Sequence, residues 1–99
     1  MILALSGGTG GSKMVDGLAR IHGQAGLVVV VNTGDDGDFY GLRVCPDIDI
    51  CTYVLAGVVS ERGWGYSEDT FRCLEGLATY GRDSWFGVVD RDLATHIHR

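Results

Sequence analysis

The stretch Ile2-Leu3-Ala4-Leu5-Ser6-Gly7-Gly8-Thr9-Gly10-Gly11-Ser12-Lys13, followed by Leu27-Val28-Val29-Val30-Val31, decides the fold class. Ile2 to Ser6 is a short apolar run ended by glycines, and its length favours a buried strand. Met14, Leu18 and Ile21 then recur at helical spacing with Val15 beside them. Ser12 to Ile21 therefore reads as a helix, which Gly23 closes. Leu27 to Val31 is almost wholly β-branched and suits a buried strand of a parallel sheet. Strand, helix and strand within about thirty residues make a βαβ unit, whose crossover is right-handed in nearly all proteins. The class is α/β.

Outward from this unit, Asn32 to Val44 is polar and Gly-rich and reads as a loop of functional length. Pro46 suits the first turn of a helix, where its missing N–H is no loss. Ile48, Cys51, Leu55 and Val58 then fall on one helical face. Arg62 to Tyr66 is a second loop around Gly63-Trp64-Gly65. Ser67 is expected to cap a helix, with Glu68 and Asp69 in its first turn and Phe71, Leu74 and Leu77 along it; Gly81 ends it. Trp85 to Val89 reads as a third strand. Asp90 to Arg99 begins as a loop or helix. The chain stops in a patterned segment and not in a tapering tail, so residues 1–99 are expected to be the N-terminal part of one longer domain, inactive by themselves.

At 99 residues the chain makes at most one domain, and 45% hydrophobic with 21% charged residues is a globular balance. The net charge of −5 argues against nucleic acid or an anionic membrane as partner. A small anionic ligand needs only local donors and stays open. Cys45, Cys51 and Cys73 form no CxxC pair, and their odd number fits reduced thiols in the cytoplasm. His22, His96 and His98 are far from them in sequence, so zinc is not expected. Met1 leads into an apolar run without a basic segment, and Gly26 to Val31 is too short to cross a bilayer.

Glycine is 16 of the 99 residues, more than double its usual share of roughly 7%. Because glycine costs conformational entropy, the excess needs a local cause. Gly7-Gly8-Thr9-Gly10-Gly11-Ser12-Lys13 sits where a strand hands over to a helix. There glycines let backbone N–H groups approach phosphate oxygens, the helix end adds partial positive charge, Thr9 and Ser12 bring hydroxyls and Lys13 a full charge. The run matches neither G-x-G-x-x-G nor GxxxxGK[ST], so it names a phosphate and no particular ligand. A tight turn without ligand is the plainer alternative.

Three further groups stand out. Asn32-Thr33-Gly34-Asp35-Asp36 ends the second strand, where open α/β sheets bind ligands; its acids can accept from ribose hydroxyls or hold Mg²⁺, or simply form a solvated turn. Asp47 and Asp49 of Pro46-Asp47-Ile48-Asp49 are by themselves dipole partners of a helix start. At that spacing their carboxylates point about 200° apart and make no paired site. Asp90-Arg91-Asp92, with Thr95, His96, His98 and Arg99, is either a surface ion-pair cluster or an anchor for an anionic or planar ligand. His96 and His98, two residues apart, do not make a metal site alone.

These blocks in this order resemble the 2-phospho-L-lactate transferase family, some members of which are phosphoenolpyruvate transferases. The matching runs are the glycine run, Val30-Val31-Asn32-Thr33-Gly34-Asp35-Asp36, Gly41-Leu42-Arg43-Val44-Cys45-Pro46-Asp47-Ile48-Asp49, Arg62-Gly63-Trp64-Gly65 and Asp90-Arg91-Asp92-Leu93-Ala94-Thr95-His96. The resemblance implies a Rossmann-like three-layer fold with a mostly parallel sheet. It implies transfer of a phospholactyl or phosphoenolpyruvyl group from a guanosine diphosphate-linked donor to the deazaflavin Fo, with release of GMP and a need for Mg²⁺, in coenzyme F-420 biosynthesis. By matched position, Gly7, Gly8, Thr9, Gly10 and Lys13 would lie at the donor phosphates. Asp49 and Arg91 would contact Fo, with Asn32, Asp35 and Asp36 beside them. Asp49 or Asp36 would orient or deprotonate the acceptor hydroxyl, and the residues do not choose between them. The metal ligands and any homo-oligomer stay open. Ile50 stands where members usually carry Thr or Ser, and Val89 where they usually carry Gly, which could adopt a φ that valine cannot. A rival resemblance is to the gluconeogenesis factor family, nucleotide-sugar-binding regulators with a similar Gly-rich start. The Pro-Asp-Ile-Asp and Asp-Arg-Asp blocks favour the transferase.

Overall fold

The computed structural model describes residues 1–99. β1 (Ile2–Ser6), α1 (Gly8–His22) and β2 (Leu27–Val31) form the expected βαβ unit. The two strands are parallel, in register from Ile2 opposite Leu27 to Ser6 opposite Val31. The fold is α/β and Rossmann-like. α1 lies against β1 and against α2 (Pro46–Ala56), which Pro46 opens as its sequence position suggests. Ala4 and Ser6 of β1, Val15 of α1 and Ile50, Cys51 and Tyr53 of α2 are buried, with Val44, Val88 and Val89 beside them.

The other face of the sheet is bare. Leu3 and Leu5 are 62% and 73% exposed, and the register sets them beside Val28 and Val30, which are also exposed. These residues thus build the sheet and one helix layer. β2 is parallel, as its composition suggests, but buried on one side only, because no helix of the chain covers the second.

Elsewhere the structure departs from the sequence reading. α1 starts at Gly8, so the glycine run is the first turn of the helix and not a loop ahead of it. The stretch from Asn32 to Val44 holds a hairpin, β3 (Gly37–Phe39) and β4 (Leu42–Val44), closed by Tyr40 and Gly41 with both φ angles positive. That two-residue turn matches strand twist but asks Tyr40 to hold a conformation rare for its residue type. Trp85 to Val89 is not a strand. Phe86 stacks on Phe39 with centroids 4.0 Å apart, its carbonyl accepts from Tyr40 Oη at 3.0 Å, and Val88 and Val89 are buried. The apolar run is satisfied by packing, with no ladder. Val89 has φ −85° and ψ 159°, extended backbone that valine adopts freely, so the exchange of Gly for Val strains nothing there.

Ser67 caps no helix; α3 runs only Arg72–Thr79. Its cap comes from α4 (Asp90–His98), where Asp90 Oδ1 accepts from Cys73 N–H at 2.9 Å. In return Asp69 Oδ2 accepts from Arg91 N–H at 2.7 Å at the start of α4. The start of α3 is capped by the first residue of α4, and the start of α4 by a carboxylate of the segment before α3, which no local pattern encodes. Hydrogen bonds from Thr70 Oγ1 and Cys73 N–H hold the Asp90 carboxyl below its usual range.

Candidate functional site

A cavity of about 340 Å³ opens where the beginnings of two helices, α1 and α2, meet one face of α4. Gly8 and Thr9 come from α1, Pro46, Asp47, Asp49 and Ile50 from α2, and Asp92 and His96 from α4. Tyr53, Trp64 and Phe86 give it an aromatic wall. Helix starts bring unpaired N–H groups and partial positive charge, so converging them makes a site for anionic groups.

At the α1 end, Gly8 has φ +66°, a conformation that costs glycine nothing. Its N–H donates to Asp47 Oδ1 at 3.2 Å. Asp47 is only 5% exposed, and its Oδ2 is buried without a partner. A carboxylate therefore occupies part of the anion-attracting end of α1. Ser12 turns inward, its hydroxyl donating to Thr9 O at 2.7 Å, and does not present a donor to a ligand. Gly11 is an interface residue: a Cβ there would lie 2.5 Å from Ser6 Oγ and 3.3 Å from Ser6 Cα.

At the α4 end lies a buried ionic cluster. Asp49 is paired with Arg99, and its Oδ2 faces His96 Nδ1 at 3.5 Å. His96 Nε2 faces Asp92 Oδ2 at 3.6 Å. Tyr53 Oη donates to Asp92 Oδ1 at 2.7 Å and lies 2.8 Å from Thr95 Oγ1. Burial pushes the Asp49 carboxyl up, only partly opposed by the charge and hydrogen bond of Arg99. Burial acts upward on Asp92 as well, but the facing His96, the Tyr53 hydroxyl and Arg99 together outweigh it and leave Asp92 below its usual range. Burial and the bond to Asp92 drive the Tyr53 phenol far above its ordinary value. Neighbouring carboxylates thus shift in opposite directions, the arrangement that separates a proton acceptor from a permanent anion. Asp47 and Asp49 do point apart, as their spacing requires, yet both are buried in the wall of one cavity.

Residues 2–99 match the family model described as 2-phospho-L-lactate transferase CofD. The chain belongs to the CofD family. It is 48% identical over 100 residues to a phosphoenolpyruvate transferase of Streptomyces avermitilis, and 47% identical over 100 residues to one of Streptomyces griseus. In each case the match takes in 99% of this chain and 31% of the relative. The phosphoenolpyruvate transferase of Mycolicibacterium smegmatis is 42% identical over 109 residues, 99% of this chain and 33% of that protein. The chain thus spans about a third of the length of these relatives.

Of the residues that the CofD resemblance assigns to substrate, Gly8, Thr9 and Asp49 line the cavity. Gly7 and Asn32 line a shallower cleft at the carboxyl ends of β1 and β2, where Asn32 Oδ1 accepts from Gly34 N–H at 3.1 Å. Gly10, Lys13, Asp35, Asp36 and Arg91 line neither. Lys13 is exposed one helical turn beyond Thr9, Asp35 is exposed, and Arg91 is exposed at the start of α4. Asp36 is half-buried beside Cys45, whose thiol is pushed up by burial with Asp36 and Asp49 adding to it and Arg99 opposing. The sequence reading missed Tyr53, took Asp47 for a dipole partner, placed Arg99 and His96 with the Asp-Arg-Asp block without joining either to Asp49, and weighed a metal at His96 only with His98. One signal was available: Asp92 and His96 are four apart on a helix, the spacing that sets two side chains on one face.

Proposed function

We propose that this chain carries the donor-phosphate site and part of the acceptor site of a transferase of coenzyme F-420 biosynthesis. The reaction moves a phospholactyl or phosphoenolpyruvyl group from a guanosine diphosphate-linked donor to the hydroxyl of Fo. The observation that carries the reading is the cavity joining the start of α1 to Asp49, in a chain whose whole length matches the CofD family. Gly8 and Thr9 would meet the donor diphosphate, with Lys13 reaching from the next turn. Asp49 is favoured over Asp36 as the group that takes the proton from Fo, because Asp49 lines the cavity and burial raises its proton affinity. The Fo oxygen bonds to the phosphorus bearing the lactyl or enolpyruvyl group, and the bond from that phosphorus to GMP breaks. Trp64, Phe86 and Tyr53 line the cavity and would give a planar acceptor aromatic surface to pack against.

Mg²⁺ fits one observation. Asp47 Oδ2 is a buried oxygen without partner, next to the N–H that Asp47 Oδ1 already occupies. Asp47 would hold the ion at the donor diphosphate, where it would offset phosphate charge. Three unpaired thiols suit a reducing compartment, here the cytoplasm, and no helix is long and apolar enough to cross a membrane.

The test is GMP release with donor, Fo and Mg²⁺, run on this chain and on a chimera in which residues 1–99 replace the matching third of the Streptomyces avermitilis relative. The chimera should turn over and the chain alone should not. In the chimera, Asp49→Asn and Arg91→Ala should depress transfer while leaving donor affinity nearly unchanged. Lys13→Ala should weaken the donor by about 1.5–3 kcal/mol, the worth of a hydrogen bond to a charged group. Donor affinity that collapses in Asp49→Asn but survives in Lys13→Ala would reverse the assignment.

A further inference from the structure

Residues 84–88 belong to no helix or strand, yet Phe86 and Gly87 among them line the cavity. One hydrogen bond reaches the backbone of this segment from a distant part of the chain: the Tyr40 hydroxyl donates to the Phe86 carbonyl at 3.0 Å, across 46 positions. Trp85 N–H is held locally, by Asp83 Oδ1 at 3.2 Å. Phe86 also stacks on Phe39, with ring planes 10° apart. Stacked rings can slide over one another, whereas a hydrogen bond is directional and fixes the backbone that carries the ring.

The hairpin is the anchored partner of the two. At its base Val44 is buried, and the Arg43 carbonyl accepts from Arg99 Nη1 at 2.9 Å. At its tip Tyr40 holds φ +54°, and only Glu68 among the other non-glycine residues has a positive φ. A bulky side chain is rare in that conformation, and Asn before Gly is the usual choice for a two-residue turn with both φ angles positive. Such backbone persists where surrounding contacts hold it, and it concentrates beside ligand sites. The contact here is the bond to Phe86.

We propose that Tyr40 is a positioning residue for the acceptor: from the hairpin tip it holds Phe86 in the cavity wall. The proposal rests on the reading of that cavity as the place where the acceptor binds. Tyr40 does not itself line the cavity, so it acts through Phe86. Its unfavourable φ follows from setting a phenol where the hydroxyl reaches the carbonyl of residue 86.

Two substitutions separate the turn from the hydroxyl. Tyr40→Phe keeps the ring and the positive φ and removes only the donor. Tyr40→Asn gives the turn its preferred residue and removes ring and donor together. If Tyr40 served the turn alone, Asn would match or improve on wild type. The first measurement is ¹⁵N relaxation on this chain without substrate. In both variants the order parameters of the Phe86 and Gly87 amides should fall from about 0.85, the rigid value, to below about 0.6, while the Phe39 and Leu42 amides keep theirs. The second is steady-state transfer in the chimera. Tyr40→Phe should raise the acceptor KM about two- to tenfold, the worth of one hydrogen bond, with kcat and donor affinity unchanged. Unchanged order at Phe86 and Gly87 would overturn the proposal. So would loosening that spreads to Phe39 and Leu42, or an unchanged acceptor KM in a chimera whose segment has loosened. A wild-type chimera that does not turn over counts against the transfer reading, and the relaxation measurement still decides whether Tyr40 holds Phe86. Tyr40→Phe alone settles it if Tyr40→Asn does not fold.

Discussion

Gly10 and Gly11 are neighbours in the same helical turn, and replacing each by alanine should have opposite effects. A Cβ on Gly11 would lie 2.5 Å from Ser6 Oγ and 3.3 Å from both Ser6 Cα and Ser6 C. The hydroxyl can rotate away, but the backbone atoms cannot. Ser6 is 8% exposed, paired with Val31 in the sheet, and its carbonyl accepts from Asn32 N–H at 2.9 Å. α1 must therefore move off β1, and overpacking of this kind costs about 1–3 kcal/mol. A Cβ on Gly10 meets nothing within 4 Å. Both variants gain the same helix-propensity benefit, up to about 1 kcal/mol for alanine over glycine. Subtracting one from the other cancels it, and Gly11→Ala should be less stable than Gly10→Ala by the steric cost alone. For a domain this size 1 kcal/mol shifts Tm by about 4–8 °C, so the two midpoints should differ by about 4–24 °C. Thermal and urea unfolding followed by circular dichroism read this directly. Equal stability of the two variants would refute the steric argument and return Gly11 to a role in binding alone.

The Asp92 carboxyl is held below the ordinary value of 3.8, so the unfolded chain binds the extra proton first and stability falls as pH drops through that region toward the native value. Asp92→Asn should flatten this acid limb in urea titrations between neutral pH and the acid range; a slope unchanged from wild type would show that Asp92 does not drive it. Tyr53→Phe removes the donor to Asp92 Oδ1 from a residue 4% exposed and should cost about 1.5–3 kcal/mol, which equilibrium unfolding would detect. A loss that persists unchanged in the Asp92→Asn background would mean the two side chains are not coupled.

The βαβ unit was legible because its signals are local. An apolar run of strand length, a 3.6-residue period and a second β-branched run each depend on neighbours in sequence, and β1 and β2 lie where that reading puts them, with α1 between them starting earlier, at Gly8. Pro46 marked the start of α2 for the same reason. The hairpin at Gly37 to Val44 was hidden because its turn uses Tyr40, a residue with no preference for positive φ. α3 was drawn too long because its cap, Asp90, is 17 residues away from Cys73.

The candidate site divides along the same line. The glycine run, the acids after β2 and the Pro-Asp and Asp-Arg-Asp blocks were visible as motifs, and their order pointed to the CofD family before any coordinates. What each residue touches was not visible. Tyr53 meets Asp92 across 39 positions and Arg99 meets Asp49 across 50. Asp47 reaches Gly8 across 39. Sequence by itself determined the βαβ unit, the start of α2 and the family, since local periodicity and motif order are carried in adjacent residues. Only the tertiary structure decided that the starts of α1 and α2 share a cavity with one face of α4 and that His96 stands between two carboxylates. The reason is physical: burial, orphaned polar atoms and shifted proton affinities arise from the dielectric and partners that packing creates, and packing joins residues that are not neighbours in the chain.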